Sequence, residues 1–192
     1  LTLSRECDIE MEKFSKVLDE YCDYLYKYAK YDEAMSVAQE KLELDKVLLG
    51  EHSAEVATGY NNIGAVYDSQ GNYSVALEHY NKALGIRLEI FGERHPDVAI
   101  SYNNIGAVYS SQGNYPAALE YYNKALEIQL AVFGERHPAV ATSDNHIGAV
   151  YDNQGNYSAA LEHYNKALEI RLAIFGECHH DVAGSYNNIG LV

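Results

Sequence analysis

Four asparagines, Asn61, Asn103, Asn145 and Asn187, recur at a constant interval of 42 positions. A carboxamide offers a donor and an acceptor together, so a row of them suits the backbone of an extended peptide better than a reacting group. The same row could instead hydrogen-bond between neighbouring helices as spacers, and the residue types leave both uses open. Other chemistry is sparse. Cys178-His179-His180 has metal-ligating types in succession, but three ligands from one loop without a distant fourth make a poor tetrahedral site. His179 falls in register with His95 and His137, where a cap or linker role fits better than that of a general base. The sequence has no carboxylate–His–nucleophile set, HExxH, GxSxG or phosphate-binding glycine loop. No enzyme, cofactor or metal site is expected.

The elements that must position these amides repeat at the same step. Gly50, Gly92, Gly134 and Gly176 are 42 apart, as are Tyr73, Tyr115 and Tyr157, and Ile63, Ile105, Ile147 and Ile189. A fixed period of this size marks a solenoid, whose units bury their apolar faces only by stacking on one another. In the unit from His95 to Gly134, Pro96 suits a first helical position, and Val98, Tyr102, Ile105 and Tyr109 follow at helical spacing. Gly113 stops that helix and Asn114 can cap the next. The second helix carries Tyr115, Ala118, Leu119, Tyr122, Ala125, Leu126, Ile128 and Leu130 before Phe133-Gly134. Each unit is thus two antiparallel helices, with small residues such as Gly106, Ala118 and Ala125 allowing close approach. The expected fold class is all-α, an α-solenoid of stacked helix pairs, in which binding is the default function.

Composition narrows the partners. The 192 residues carry 28 acidic against 14 basic side chains, a formal charge of −14. That sign opposes binding to nucleic acid or to an anionic membrane surface. No run is long and apolar enough to span a bilayer, and the start lacks a signal-peptide apolar region. Cys7, Cys22 and Cys178 form an odd set without CxxC spacing, which suits free thiols in the cytoplasm.

Within this frame, Tyr102-Asn-Asn-Ile105-Gly106-Ala-Val-Tyr109, followed by Ala118, Tyr122 and Ala125, resembles the tetratricopeptide repeat. The long period, against about 34 for the ordinary repeat, and the linker Phe91-Gly-Glu-Arg-His95-Pro96-Asp-Val98-Ala99 resemble the kinesin light chain and nephrocystin-3-like branch. The resemblance covers residues 51–192. It implies a right-handed superhelix with units at 51–92, 93–134 and 135–176 and the first helix of a further unit at 177–192. Residues 1–50 fit as a divergent N-terminal helix pair. In its first helix Met11, Phe14, Leu18, Tyr21, Leu25 and Tyr28 alternate steps of three and four. That spacing fits a lengthened capping helix better than a coiled-coil tail. Because the sequence opens at Leu1 and breaks off at Val192 inside a first helix, it is expected to be a piece of a longer array.

The resemblance also implies that first helices line a concave groove. Its positions here are Thr58, Asn61, Ala65 and Asp68, then Ile100, Asn103, Ala107 and Ser110, then Thr142, Asn145, Ala149 and Asp152, with Asn187 continuing. Asp19 and Asp23 extend it into the first unit. Asn62, Asn104 and Asn188 lie one step away and read as structural. None of the groove positions is basic, unlike carboxylate-clamp repeats, and the acidic motifs of kinesin light chain cargoes would be repelled. The expected ligand is a neutral or basic extended peptide. Cytoskeletal association is a variant of the cytoplasmic expectation. The competing readings are a sensor region of a larger signalling ATPase and a spacer that self-associates head to tail. Finally, Asp144 stands where Tyr60, Tyr102 and Tyr186 stand, and His146 replaces Asn62 and Asn104. A carboxylate at a packing position needs a partner, which His146 could supply only in part. Asp144→Tyr is therefore expected to raise the melting temperature.

Overall fold

The computed structural model describes residues 13–18, 20–22, 24–25, 27–28 and 30–192. All regular structure among them is helical. The chain divides into two compact units, one ending at Gly92 and one running from Glu93 to Val192.

In the first unit, helical residues within 13–27 precede α1 (Tyr31–Leu49), α2 (Ala54–Ser69) and α3 (Tyr73–Phe91). Cys22, Ala38, Leu42, Val56 and Ile63 form one core cluster, and Leu25, Ala34 and Val66 another. The N-terminal helix therefore packs on α1 and α2 as a cap does. Its buried face is Ser15, Leu18, Cys22 and Leu25, while Phe14, Tyr21 and Tyr28 are exposed. The aromatic half of the expected stripe thus points to solvent, and Met11 lies outside the described residues. Asp45 is completely buried and bound by both Lys41 and Ser15, at 2.6 Å from the serine hydroxyl.

In the second unit, α4 (Pro96–Ser111) pairs with α5 (Tyr115–Phe133), and α6 (Pro138–Asn153) with α7 (Tyr157–Phe175). The last helix, α8 (His180–Leu191), packs on α7, and α5 packs on α6. Helix ends follow local chemistry. The repeated histidines are N-caps: Nδ1 of His95, His137 and His179 each accepts the backbone N–H two residues on, at 3.2 Å. At the other end, Gly113 adopts φ 73°, the Asn114 N–H donates to Tyr109 O and the Gly113 N–H to Ser110 O. This is a Schellman stop, which satisfies carbonyls that α4 would otherwise leave unpaired. The Asn114 side chain then accepts from Ala117 N and opens α5.

Close approach within each pair rests on one glycine. A Cβ on Gly64 would stand 2.9 Å from the Tyr80 ring, one on Gly106 2.9 Å from Tyr122, and one on Gly148 2.8 Å from Tyr164. Each tyrosine is buried, so the ring of the second helix lies flat on the bare backbone of the first.

Candidate functional site

On α2 the positions Thr58, Asn61, Ala65 and Asp68 advance by three, four and three, which places them along one helical face. All four are half-buried. The Thr58 hydroxyl donates to Ala54 O at 3.0 Å, so its oxygen keeps acceptor capacity only. Burial raises the Asp68 carboxyl above its ordinary value, which weakens its hold on charge in the absence of a cation.

In the second unit the same face recurs on α4, α6 and α8. Asn103 and Ser110 are half-buried on α4, as are Asn145 and Asp152 on α6, whereas Thr142 and Asn187 are exposed. Thr142 repeats the back-bond of Thr58, donating to Pro138 O at 3.0 Å. The amides, however, reach across to neighbouring helices. Asn103 lies 3.3 Å from the Ser143 hydroxyl, which itself donates to Gln129 Oε1 at 2.7 Å. Asn103 Oδ1 lies at the same 3.3 Å from that hydroxyl, so both ends of this amide meet Ser143, and the carbonyl keeps only its second lone pair for another donor. Asn145 Oδ1 accepts from Asn188 Nδ2 at 2.7 Å, which leaves Asn145 Nδ2 available. Asn103 and Asn145 are therefore tied between helices with part of their hydrogen-bonding capacity left over. The spacer and the binding use are compatible in one side chain. Asp19 and Asp23 lie outside the described residues.

Three repeated lysines are engaged away from this face. Lys82, Lys124 and Lys166 each pair with the glutamate four residues earlier on the second helices, at 2.7 Å. Near the C-terminal end, His179, His180 and Asp181 bring ligand atoms within 4.8 Å of one another. That group differs from the Cys178-His179-His180 set, and His179 Nδ1 is already taken by the Asp181 N–H. Its geometry serves the cap of α8.

Two features were invisible in the sequence alone. In the second unit a polar joint ties a second helix to the following first helix: Gln129 to Ser143, and Arg171 Nη1 to Ser185 Oγ, the latter at 2.7 Å. The recurrence of serine at 101, 143 and 185 is the signal that could have shown it. The other is the partner of Asp144. Asp144 is buried and its Oδ1 lies 2.9 Å from Nδ1 of His163 on α7, not against His146. His146 instead packs against Tyr122, with its Nδ1 buried and unsatisfied. Asp144 and His163 line a cleft of about 570 Å³ between α5, α6 and α7.

Comparison with known proteins agrees with this architecture. A family model described as Tetratricopeptide repeat matches residues 17–89, 76–131, 97–173 and 139–192. Tetratricopeptide repeat protein 23 of Homo sapiens is 35% identical over 75 residues, covering 39% of this chain and 17% of that protein. Its Bos taurus counterpart is 33% identical over 78 residues, 41% of this chain and 18% of that protein. The match thus spans less than a fifth of either relative. Among solved structures, BtubC (BKLC) from P. vanneervenii has a TM-score of 0.83 at 24% identity, covering 99% of this chain and 76% of its own. A Podosopora anserina putative kinesin light chain with nearly identical TPR-like repeats has a TM-score of 0.74 at 16% identity, covering 92% and 83%. At such identities these structures speak for the fold. With helix pairs, glycine-seated tyrosines and family matches in agreement across nearly the whole length, the chain belongs to the tetratricopeptide repeat family, and its structural neighbours are kinesin light chain-like repeat proteins.

Proposed function

We propose that this chain is a non-catalytic scaffold that holds an extended segment of a partner protein along its first helices. The observation that carries this reading is the half-committed amide row of the second unit. Asn103 and Asn145 are fixed by Ser143 and Asn188, yet each retains hydrogen-bonding capacity, the second lone pair of the Asn103 carbonyl and the Asn145 Nδ2, on a face with no lysine or arginine. Side chains already immobilised by their neighbours lose little entropy when a ligand arrives, which favours binding. The remaining lone pair on the Asn103 carbonyl and the Asn145 Nδ2 N–H can meet a peptide backbone without reading its side chains.

Charge sets the partner's character. Asp152, and Asp68 in the first unit, give these faces a negative bias that a neutral or basic segment complements. Cys178 is an exposed free thiol, in keeping with a reducing, cytoplasmic setting. Among the described residues no helix is long and apolar enough to cross a membrane.

The test is a proteomic capture comparing the native chain with Asn61→Ala/Asn103→Ala/Asn145→Ala. Loss of a defined set of partners, at unchanged helicity, supports the reading. Retention of every partner by a folded variant would mean that the amides serve only as spacers.

A further inference from the structure

We propose that the cleft beside Asp144 receives a tyrosine side chain from a partner protein, on a face of α6 different from the amide row. The inference does not depend on the role of that row. It begins with what fills the same place in the sister repeats. Tyr60 lies with its ring 5.9 Å from His79, and Lys82 sits 5.6 Å from the Tyr60 centroid. Tyr102 is likewise 5.9 Å from Tyr121, with Lys124 5.8 Å from its ring centroid. Each first-helix ring thus meets both a second-helix ring and a second-helix lysine.

In the third repeat both outer members of this arrangement persist. His163 takes the second-helix place, stacked 5.7 Å from Tyr151, and Lys166 takes the lysine place. Only the middle ring is missing, because Asp144 stands there. Space opens accordingly. The hollow beside Tyr60 is about 440 Å³ and His79 does not line it, whereas the cleft at Asp144 is about 570 Å³ and reaches His163.

Polarity then selects the occupant. The Asp144 side chain is 8% exposed, and its Oδ1 is held by His163. No described residue hydrogen-bonds its Oδ2, which remains open to the cleft with the Lys166 charge nearby and can accept from a donor entering there. Leu126, Leu130, Val140 and Ile170 supply apolar walls. The mouth mixes signs, with Glu135 and Glu169 against Arg136 and Lys166, so it favours neither a strongly cationic nor an anionic ligand. A phenol meets each demand. Its ring occupies the vacated place beneath Lys166, where a cation lies over the ring in the sister repeats. Its hydroxyl donates to Asp144 Oδ2. Phenylalanine would leave that oxygen buried and unpaired, and sites built to bond a hydroxyl reject analogues that lack it.

The test is an NMR titration of the full chain with the peptide Ac-Gly-Tyr-Gly-NH2 and its phenylalanine and arginine analogues. The expected result is saturable shifts at cleft amides, with the tyrosine peptide at least tenfold tighter than the other two. Asp144→Tyr, which restores the ring of the sister repeats, should abolish the shifts without lowering the melting temperature. Ala173→Trp, at the exposed wall, provides a second block should Asp144→Tyr fail to fold. Equal binding of the phenylalanine peptide, preference for arginine, absence of any saturable shift, or binding that survives both substitutions overturns the proposal.

Discussion

Replacing Gly64 by alanine tests the packing on which every helix pair depends. Alanine favours a helix interior by about 1 kcal/mol over glycine, so the exchange would stabilise an open site. At Gly64 the new Cβ would stand 2.9 Å from both Cδ1 and Cε1 of Tyr80, closer than real contacts allow. Tyr80 is 4% exposed and has no room to swing aside. Overpacking of this kind costs about 1–3 kcal/mol, leaving a net loss of about 0–2 kcal/mol after the propensity gain. Gly85, in α3 of the same unit, has no atom within 4 Å of an added Cβ. Gly85→Ala should therefore gain about 0.5–1 kcal/mol from propensity alone. The assay is thermal unfolding followed by circular dichroism, where each kcal/mol moves the midpoint by about 2–4 °C in a chain of this size. The two variants should move in opposite directions. A Gly64→Ala protein that gains as much stability as Gly85→Ala would refute the close seating of tyrosine on glycine, at Gly64 and by homology at Gly106 and Gly148.

Lys41→Met removes the cation from a completely buried Asp45 and leaves that carboxylate with Ser15. It should lower stability by about 3–5 kcal/mol, measured by urea unfolding, whereas an exposed pair such as Lys30–Glu33 should give less than about 1 kcal/mol. Burial depresses the basicity of His79 and His146, each with a buried, unsatisfied Nδ1. Because their folded pKa values lie below the unfolded 6.5, their contribution is full above that pH and is lost as the pH falls below it. Replacing them with the residues of sister repeats, His79→Tyr and His146→Asn, should flatten that acid limb in melting curves taken at successive pH values. Asp68 acts with the opposite sign, since its raised pKa means that its penalty, present at neutral pH, is relieved on acidification towards the carboxylate range. Asp68→Asn should raise the neutral-pH midpoint and leave the acid one unchanged. Asp144→Tyr loses one hydrogen bond to His163 but fills part of a cleft of about 570 Å³ with apolar ring, and calorimetry should record a net rise in midpoint.

Much of the fold was legible because helix ends are local. Proline, histidine and glycine at fixed offsets cap and stop each helix through contacts with residues no more than five positions away. Contacts between helices were less so. The stripe of Phe14, Leu18, Tyr21, Leu25 and Tyr28 reads as one apolar face, yet the buried face takes the small Ser15 and Cys22 in place of the aromatics. An amphipathic tyrosine is content at the surface, so residue type alone could not decide the rotation. The carboxylate at Asp144 was recognisable as needing a partner, but His163 is 19 residues away on another helix and only packing brings them together. The amide row was legible as a row. Which end of each amide is taken up by Ser143 or Asn188 depends on the stagger of adjacent helices, a quantity that sequence spacing does not carry.

The central claim is that the first-helix face attracts neutral or basic segments. Its most direct test is affinity against ionic strength for a Lys/Arg-rich and an Asp/Glu-rich pool of extended peptides, repeated with Asp152→Lys. The account predicts tighter binding of the basic pool, weakened by salt and by the charge reversal. Tighter binding of the acidic pool to the native chain would contradict it.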